Sequence, residues 1–168
     1  IVWTLHDCWP MTGHCCHFDF VQCDFWKSGC HNCVNKREYP TTIGFDNSKS
    51  NYTRKLSQFN SVRNLTFVPV SQWLADLVSK SGLRHHKIQV INNGIDILQF
   101  NRCNLYEEEV IRRKLNLTDE NILLGVTNCW STRKGFDDFI RLSKLLPANY
   151  KIVLVGLTRQ QLQLLPQN

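Results

Sequence analysis

Residues 64 to 91 read "NLTFVPVSQWLADLVSKSGLRHHKIQVI". This stretch constrains the fold more than any other. "NLTFVPV" is an apolar run bounded by polar residues, as a buried strand requires. Ser71 then stands where a helix N-cap belongs, and Leu74, Leu77 and Val78 share one helical face in "QWLADLVSK". Gly82 reads as the helix stop, and "KIQVI" (87–91) as a second strand. A strand, a helix and a strand within 28 residues leave little choice but a parallel βαβ unit.

The same pattern recurs downstream. "NILLGVT" (121–127) reads as a strand and "NCWSTRKG" as a loop. "FDDFIRLSKLL" (136–146) reads as a helix with Phe136, Phe139 and Ile140 at i, i+3, i+4. "YKIVLVG" (150–156) is another strand, and "TRQQLQLLP" opens a helix. Upstream, "IVWTL" (1–5) has the look of a buried parallel strand that ends on His6 and Asp7. "YEEEVIRRKLNL" (106–117) is a charged helix with a thin apolar face. Alternating β and α with apolar strands predicts parallel sheets in an α/β fold. Neither unit has enough strands to close a doubly wound sheet, so parts of two domains are expected.

Between the first strand and the regular region the pattern fails. "LHDCWPMTGHCCHFDFVQCDFWKSGCHNC" (5–33) holds six of the eight cysteines and four of the six histidines. Residues 34–63 read as irregular, with at most one short helix around 49–60. "CHNC" places Cys30 and Cys33 at the spacing of half a zinc site, with Cys15 and Cys23 upstream as partners. His14, Cys16 and His17 are spare candidates, and Cys8 could replace one of the four. The stretch looks too poor in periodic apolar residues to fold on burial alone, and one structural zinc on four thiolates would supply the cross-link. Plain reduced thiols and a disulfide pair remain alternatives. Cys103 and Cys129 are isolated. Trp3, Trp9, Trp26, Phe18, Phe20 and Phe25 surround the stretch; they read as a small core more readily than as a sugar-stacking platform.

Composition excludes some functions. The net charge of +6 is below a nucleic-acid signature, and no RNP, zinc-finger or helix-turn-helix spacing occurs, so no nucleic-acid partner is expected. No apolar run reaches membrane-spanning length. No leader-like segment precedes Ile1 and no initiating Met is present, so the sequence reads as part of something longer, in a cytoplasmic setting. In that setting the Asn-x-Ser/Thr triplets at Asn51, Asn64 and Asn116 read as chance.

Four stretches, "TLHDCWPMTGHC", "SQWLADLV", "VINNGIDILQF" and "WSTRKGFDDFI", resemble, in this order, the family 4 glycosyltransferases. These are retaining sugar-nucleotide enzymes of the GT-B fold. The similarity is greatest to bacterial members that build capsule, exopolysaccharide or O-antigen glycans. The resemblance implies a GT-B-like α/β fold with parts of two Rossmann-like parallel-sheet domains and a Cys/His-rich irregular insertion near the N-terminus. Residues 1–96 would be the later part of the acceptor-side domain, 97–120 a hinge and linker helix, and 121–168 the start of the donor-side domain.

It also implies a role for each strand end. Asn128, Arg133, Lys134 and Gly135 would bind the donor diphosphate, because a loop at a strand's carboxyl end and a helix N-terminus suit a phosphate. His6, with Asp7, would be the catalytic pair, and Thr12 and Gly13 would lie on an acceptor loop. Where the family has a second Arg at the end of the preceding strand, this chain has Thr127 or Asn128. The family's E-x7-E pair does not occur after residue 120, so the segment alone is expected to be inactive. A nucleotide-sugar donor, a lipid-linked glycan acceptor, retaining hexosyl transfer and peripheral contact with the inner membrane face are implied likewise. The competing expectation is a non-catalytic, zinc-stabilised module that binds glycan or protein.

Overall fold

A computed structural model describes residues 1–166. The chain divides into two compact units, Ile1–Asp96 and Ile97–Asn168. Both are α/β with parallel strands.

In the first unit, β1 (Val2–Leu5), β2 (Thr66–Pro69) and β3 (Lys87–Ile88) form one parallel sheet in the order β1-β2-β3. Val2 pairs with Thr66 and Leu5 with Pro69. The third strand is shorter than its apolar run predicts. Its ladder nevertheless continues, since Gln89 and Ile91 N–H groups donate to the carbonyls of Phe67 and Pro69.

Helix α1 (Ser48–Ser61) forms where one short helix around 49–60 was expected, and at 14 residues it is the longest described helix. Its polar sequence conceals a face: Tyr52, Lys55, Leu56 and Phe59 recur at i, i+3, i+4, i+7 and turn inward. Asp46 caps it by accepting from the Ser48 N–H at 2.8 Å. Helix α2 (Gln72–Lys80) forms as its sequence predicts, with the Ser71 hydroxyl accepting from Leu74 N–H. Gly82 is not its left-handed terminator. The helix ends on a Ser81 N–H to Val78 carbonyl bond, and Gly82 instead admits Leu56, whose Cδ1 would meet an added Cβ at 2.7 Å.

The Cys/His stretch is not poor in core, contrary to expectation. Cys8, Met11, Cys15, Phe18, Trp26 and Cys30 are buried in the same cluster as Leu5, Phe67, Leu74 and Val78 of the sheet and α2. The Phe18 and Trp26 rings stack at 4.7 Å. Two 3-10 turns, Trp9–Met11 and Phe25–Lys27, are its regular structure. The small-core reading therefore holds for Phe18 and Trp26, whereas Trp9, Phe20 and Phe25 stay exposed.

In the second unit, α3 (Leu105–Lys114) opens on a capping box between Asn104 and Glu107. Then β4 (Asn121–Val126), α4 (Phe136–Ser143) and β5 (Tyr150–Val155) make the second βαβ, with β4 and β5 parallel along their whole length. A short helix α5 (Arg159–Leu162) follows, capped by Thr158. A parallel sheet is ordinarily covered on both faces, yet Leu124 and Val126 remain exposed.

Candidate functional site

The first candidate site lies where β1 ends. Leu5 is 2% exposed and anchors the strand, and the chain emerges at His6, which is exposed. The Asp7 carboxylate is held in place by accepting the Trp9 N–H at 2.8 Å, which starts the Trp9–Met11 turn. His6, Asp7, Trp3, Trp9, Tyr39 and Pro40 line a groove of about 420 Å³. His6 and Asp7 thus stand at a strand's carboxyl end, beside a cavity.

Behind Trp9 lies a residue that the sequence reading missed. Lys55 of α1 is 8% exposed; its Nζ lies 3.8 Å from the centroid of the Trp9 ring and donates to the Trp9 carbonyl at 2.6 Å. Burial pushes its pKa down to about 8, while the nearby thiols of Cys30, Cys16 and Cys15 and the Asp7 carboxylate act in the opposite direction. Among the described residues, no carboxylate stands within ion-pairing distance of it. The signal was present in the spacing of the apolar residues of α1, which puts Lys55 on the inward face.

Thr12 and Gly13 are interior. Thr12 is 1% exposed, and its hydroxyl donates to the Cys15 carbonyl at 2.6 Å. Gly13 lies against the Ser48 carbonyl and the Cys30 side chain. Both hold the loop together rather than presenting it to solvent.

The second candidate site lies where β4 ends, in residues 127–135. Trp130 anchors this loop: it is 6% exposed, its Nε1 donates to the Val155 carbonyl at 2.9 Å, and Phe139 meets it edge-on at 5.4 Å. Gly156, at φ +91°, lets β5 exit against the Thr127 carbonyl, where a Cβ would collide. Ser131 caps a 3-10 turn, Thr132–Lys134, by accepting from the Lys134 N–H. Gly135, at φ +77°, joins that turn to α4.

Asn128, Arg133 and Lys134 are exposed, and neither cation pairs with a carboxylate among the described residues. Two cations and a helix N-terminus therefore share one short loop. The helix contributes less than its position suggests, because Asp137 and Asp138 occupy its first turn. Any attraction for an anion rests mainly on Arg133 and Lys134.

The four cysteines singled out by spacing form a neighbourhood of their own. Cys15 interacts electrostatically with Cys33, Cys30 and Cys23; Cys30 does so with Cys23 and Cys33, and Cys33 with Cys23. Burial first, then the neighbouring thiols, pushes Cys15 up to about 12. Cys30 and Cys33 are raised as well, also chiefly by burial. Cys8 interacts with Asp19, Asp7, Cys15 and Cys16. All eight cysteines are free thiols. As they stand, the described His, Cys, Asp and Glu side chains form no group of three that would hold an ion.

Over 99 residues, 58% of the chain, the sequence is 35% identical to a protein of Escherichia coli (strain K12) that bears the name colanic acid biosynthesis glycosyl transferase WcaC, an assignment by name. The chain spans 24% of that protein's length. No protein-family model matches the chain, and no solved structure matches it. No described helix is long and apolar enough to cross a membrane.

Proposed function

We propose that this chain is part of a glycosyltransferase that moves a sugar from a nucleotide-sugar donor onto a growing, lipid-linked surface polysaccharide. The similarity to the E. coli protein, whose name is of that class, is the observation that carries this reading. Within it, the chain is a segment of a retaining, GT-B, family 4 hexosyltransferase, working in the cytoplasm at the inner membrane face and inactive without the remainder of the enzyme.

Departure of a nucleoside diphosphate builds negative charge on the leaving oxygen. Lys134 and Arg133, held on a loop anchored by Trp130, are suited to bind and stabilise that charge. Asn128 and the Gly135 turn complete the loop. Lys134 is the better fixed of the two cations, since its own N–H is tied to Ser131. On the first unit, His6 can accept from a sugar hydroxyl when neutral or meet a phosphate when protonated. Asp7 is positioned by the Trp9 N–H and steadies the turn that sets the chain's direction beside His6.

Calorimetric titration of the complete enzyme with UDP, GDP and TDP tests the assignment. One of the three should bind, and Lys134→Ala should weaken it about 10- to 100-fold, the worth of one charge-assisted contact. Absence of binding by all three would favour a non-catalytic glycan- or protein-binding module instead.

A further inference from the structure

We propose that a second groove in the first unit, lined by Trp9, His14, Asn51, Arg54 and Lys55, binds an acidic sugar of the acceptor glycan through its carboxylate. The proposal rests on the reading of the chain as part of a glycosyltransferase and adds a substrate class to it. The groove holds about 280 Å³ and forms where α1 packs on the Trp9–Met11 turn. Asn51, Arg54, Lys55 and Gln58 recur at i, i+3, i+4, i+7 of α1, so one edge of the helix supplies them all. His14 comes from the loop after β1, its ring nitrogen 3.3 Å from the Thr42 hydroxyl. Neither an aspartate nor a glutamate lines the groove.

Lys55 carries the inference. It is 8% exposed, yet no carboxylate stands within ion-pairing distance of it among the described residues. Its Nζ gives an N–H to the Trp9 carbonyl and stands over the Trp9 ring. An ammonium has three donors, and a cation held away from water is costly without a countercharge. Asp7 supplies none at close range: its carboxylate lines the groove beside His6 and accepts the Trp9 N–H. The thiols of Cys15 and Cys30 supply none either, since burial keeps them protonated. A carboxylate entering the groove gives Lys55 its partner. Arg54 adds a planar fork of donors that matches a carboxylate. One of its nitrogens reaches the Asn51 Oδ1 at 3.4 Å, and no acidic side chain pairs with it among the described residues.

The aromatic wall favours a sugar over a bare anion. Trp9 stays 39% exposed although Lys55 lies against its ring. An exposed ring beside polar groups suits the apolar side of a sugar. Trp9 and Pro40 also line the groove beside His6, so the two grooves share a wall. Neighbouring sugars of one glycan can therefore occupy both: the hydroxyl that accepts the transferred sugar beside His6, and the carboxylate beside Lys55 and Arg54.

Ligand-observed NMR titration of the complete wild-type enzyme with D-glucuronate and D-galacturonate tests this without requiring a variant to fold. At least one uronate should bind saturably. Its uncharged amide should bind about 10-fold or more weakly, the worth of one charge-assisted contact. Acetate and inorganic phosphate, charged but without a sugar ring, should displace the uronate only at concentrations about 10-fold higher or more, the ring contact being lost. Arg54→Ala and Lys55→Met, shown to be folded by circular dichroism, should each weaken uronate binding about 10- to 100-fold. Arg63→Ala, which removes a cation outside the groove, should not change it. The proposal is overturned if neither uronate binds, if the amide binds as well as the acid, or if acetate or phosphate displaces the uronate at equal concentration. It is equally overturned if Arg54→Ala leaves uronate affinity unchanged. Nucleoside diphosphate binding is read separately on the same protein. An enzyme that binds nucleotide but neither uronate sinks this proposal and leaves the transferase reading standing, and one that binds uronate but no nucleotide does the reverse.

Discussion

Gly13 and Cys30 approach so closely that a Cβ on residue 13 would stand 2.7 Å from the Cβ of Cys30, with the Ser48 carbonyl closer still on its other side. Three separate segments therefore meet at a residue without a side chain: the loop after β1, the cysteine-rich turn and the first turn of α1.

Gly13→Ala should accordingly destabilise the first unit. The obstructing atoms include main chain, which cannot rotate away, so a loss toward the upper end of about 1–3 kcal/mol is expected. Gly94→Ala, which faces open space, serves as the control and should be close to neutral. Thermal unfolding followed by circular dichroism checks both; equal melting temperatures for the two variants would mean that the segments can separate at little cost.

Lys134→Ala in the complete enzyme should lower kcat/KM by about 10²–10³, the range for removing one preorganised charge stabiliser. Its side chain is exposed and unpaired among the described residues, so the melting temperature should hardly move. A rate within about twofold of wild type would identify it as an ordinary surface lysine.

Cys8 makes stability depend on pH. It is fully buried, and burial first, then the charges of Asp19 and Asp7, push its pKa up from 9.0 to about 12. The folded state thus keeps a proton that the unfolded chain gives up above pH 9. The contribution is intact below pH 9 and is lost as pH rises toward 12, at about 1.4 kcal/mol per pH unit. Denaturant unfolding of wild type and Cys8→Ala between pH 8 and 11 isolates this slope. Cys8→Ala should be flatter above pH 9, and parallel curves would contradict the burial argument.

Gly156→Ala should loosen the loop that carries Arg133 and Lys134, because a Cβ there collides with the Thr127 carbonyl and φ +91° is unfavourable for alanine. A loss of about 1–3 kcal/mol is expected, read as faster amide exchange in residues 127–135. Unchanged exchange would show that the loop is held by Trp130 alone.

Where apolar period and cap agree, the fold was legible in the sequence. Ser71 with Leu74 and Val78 is of this kind; for Phe136 with Phe139 the apolar period alone sufficed. The helix over 48–61 was legible in place, but its inward face was not, because that face includes a lysine and a tyrosine and its cap, Asp46, lies outside the usual position. For the Cys/His segment, the small core of Phe18 and Trp26 was legible, but the burial of Cys8, Met11, Cys15 and Cys30 with them was not, since irregular backbone has no period to read. The strand-end placement of His6 and of the 127–135 loop followed from βα alternation. The interior positions of Thr12 and Gly13 did not, since only the fold brings Ser48 and Cys30 against them.

The central claim is glycosyl transfer, and donor turnover tests it most directly. The complete enzyme, incubated with UDP-, GDP- and TDP-sugars and a lipid-linked glycan acceptor, should release nucleoside diphosphate from one donor in step with appearance of its sugar on the acceptor. If every donor stays intact with acceptor present, in protein shown to be folded, the claim is contradicted.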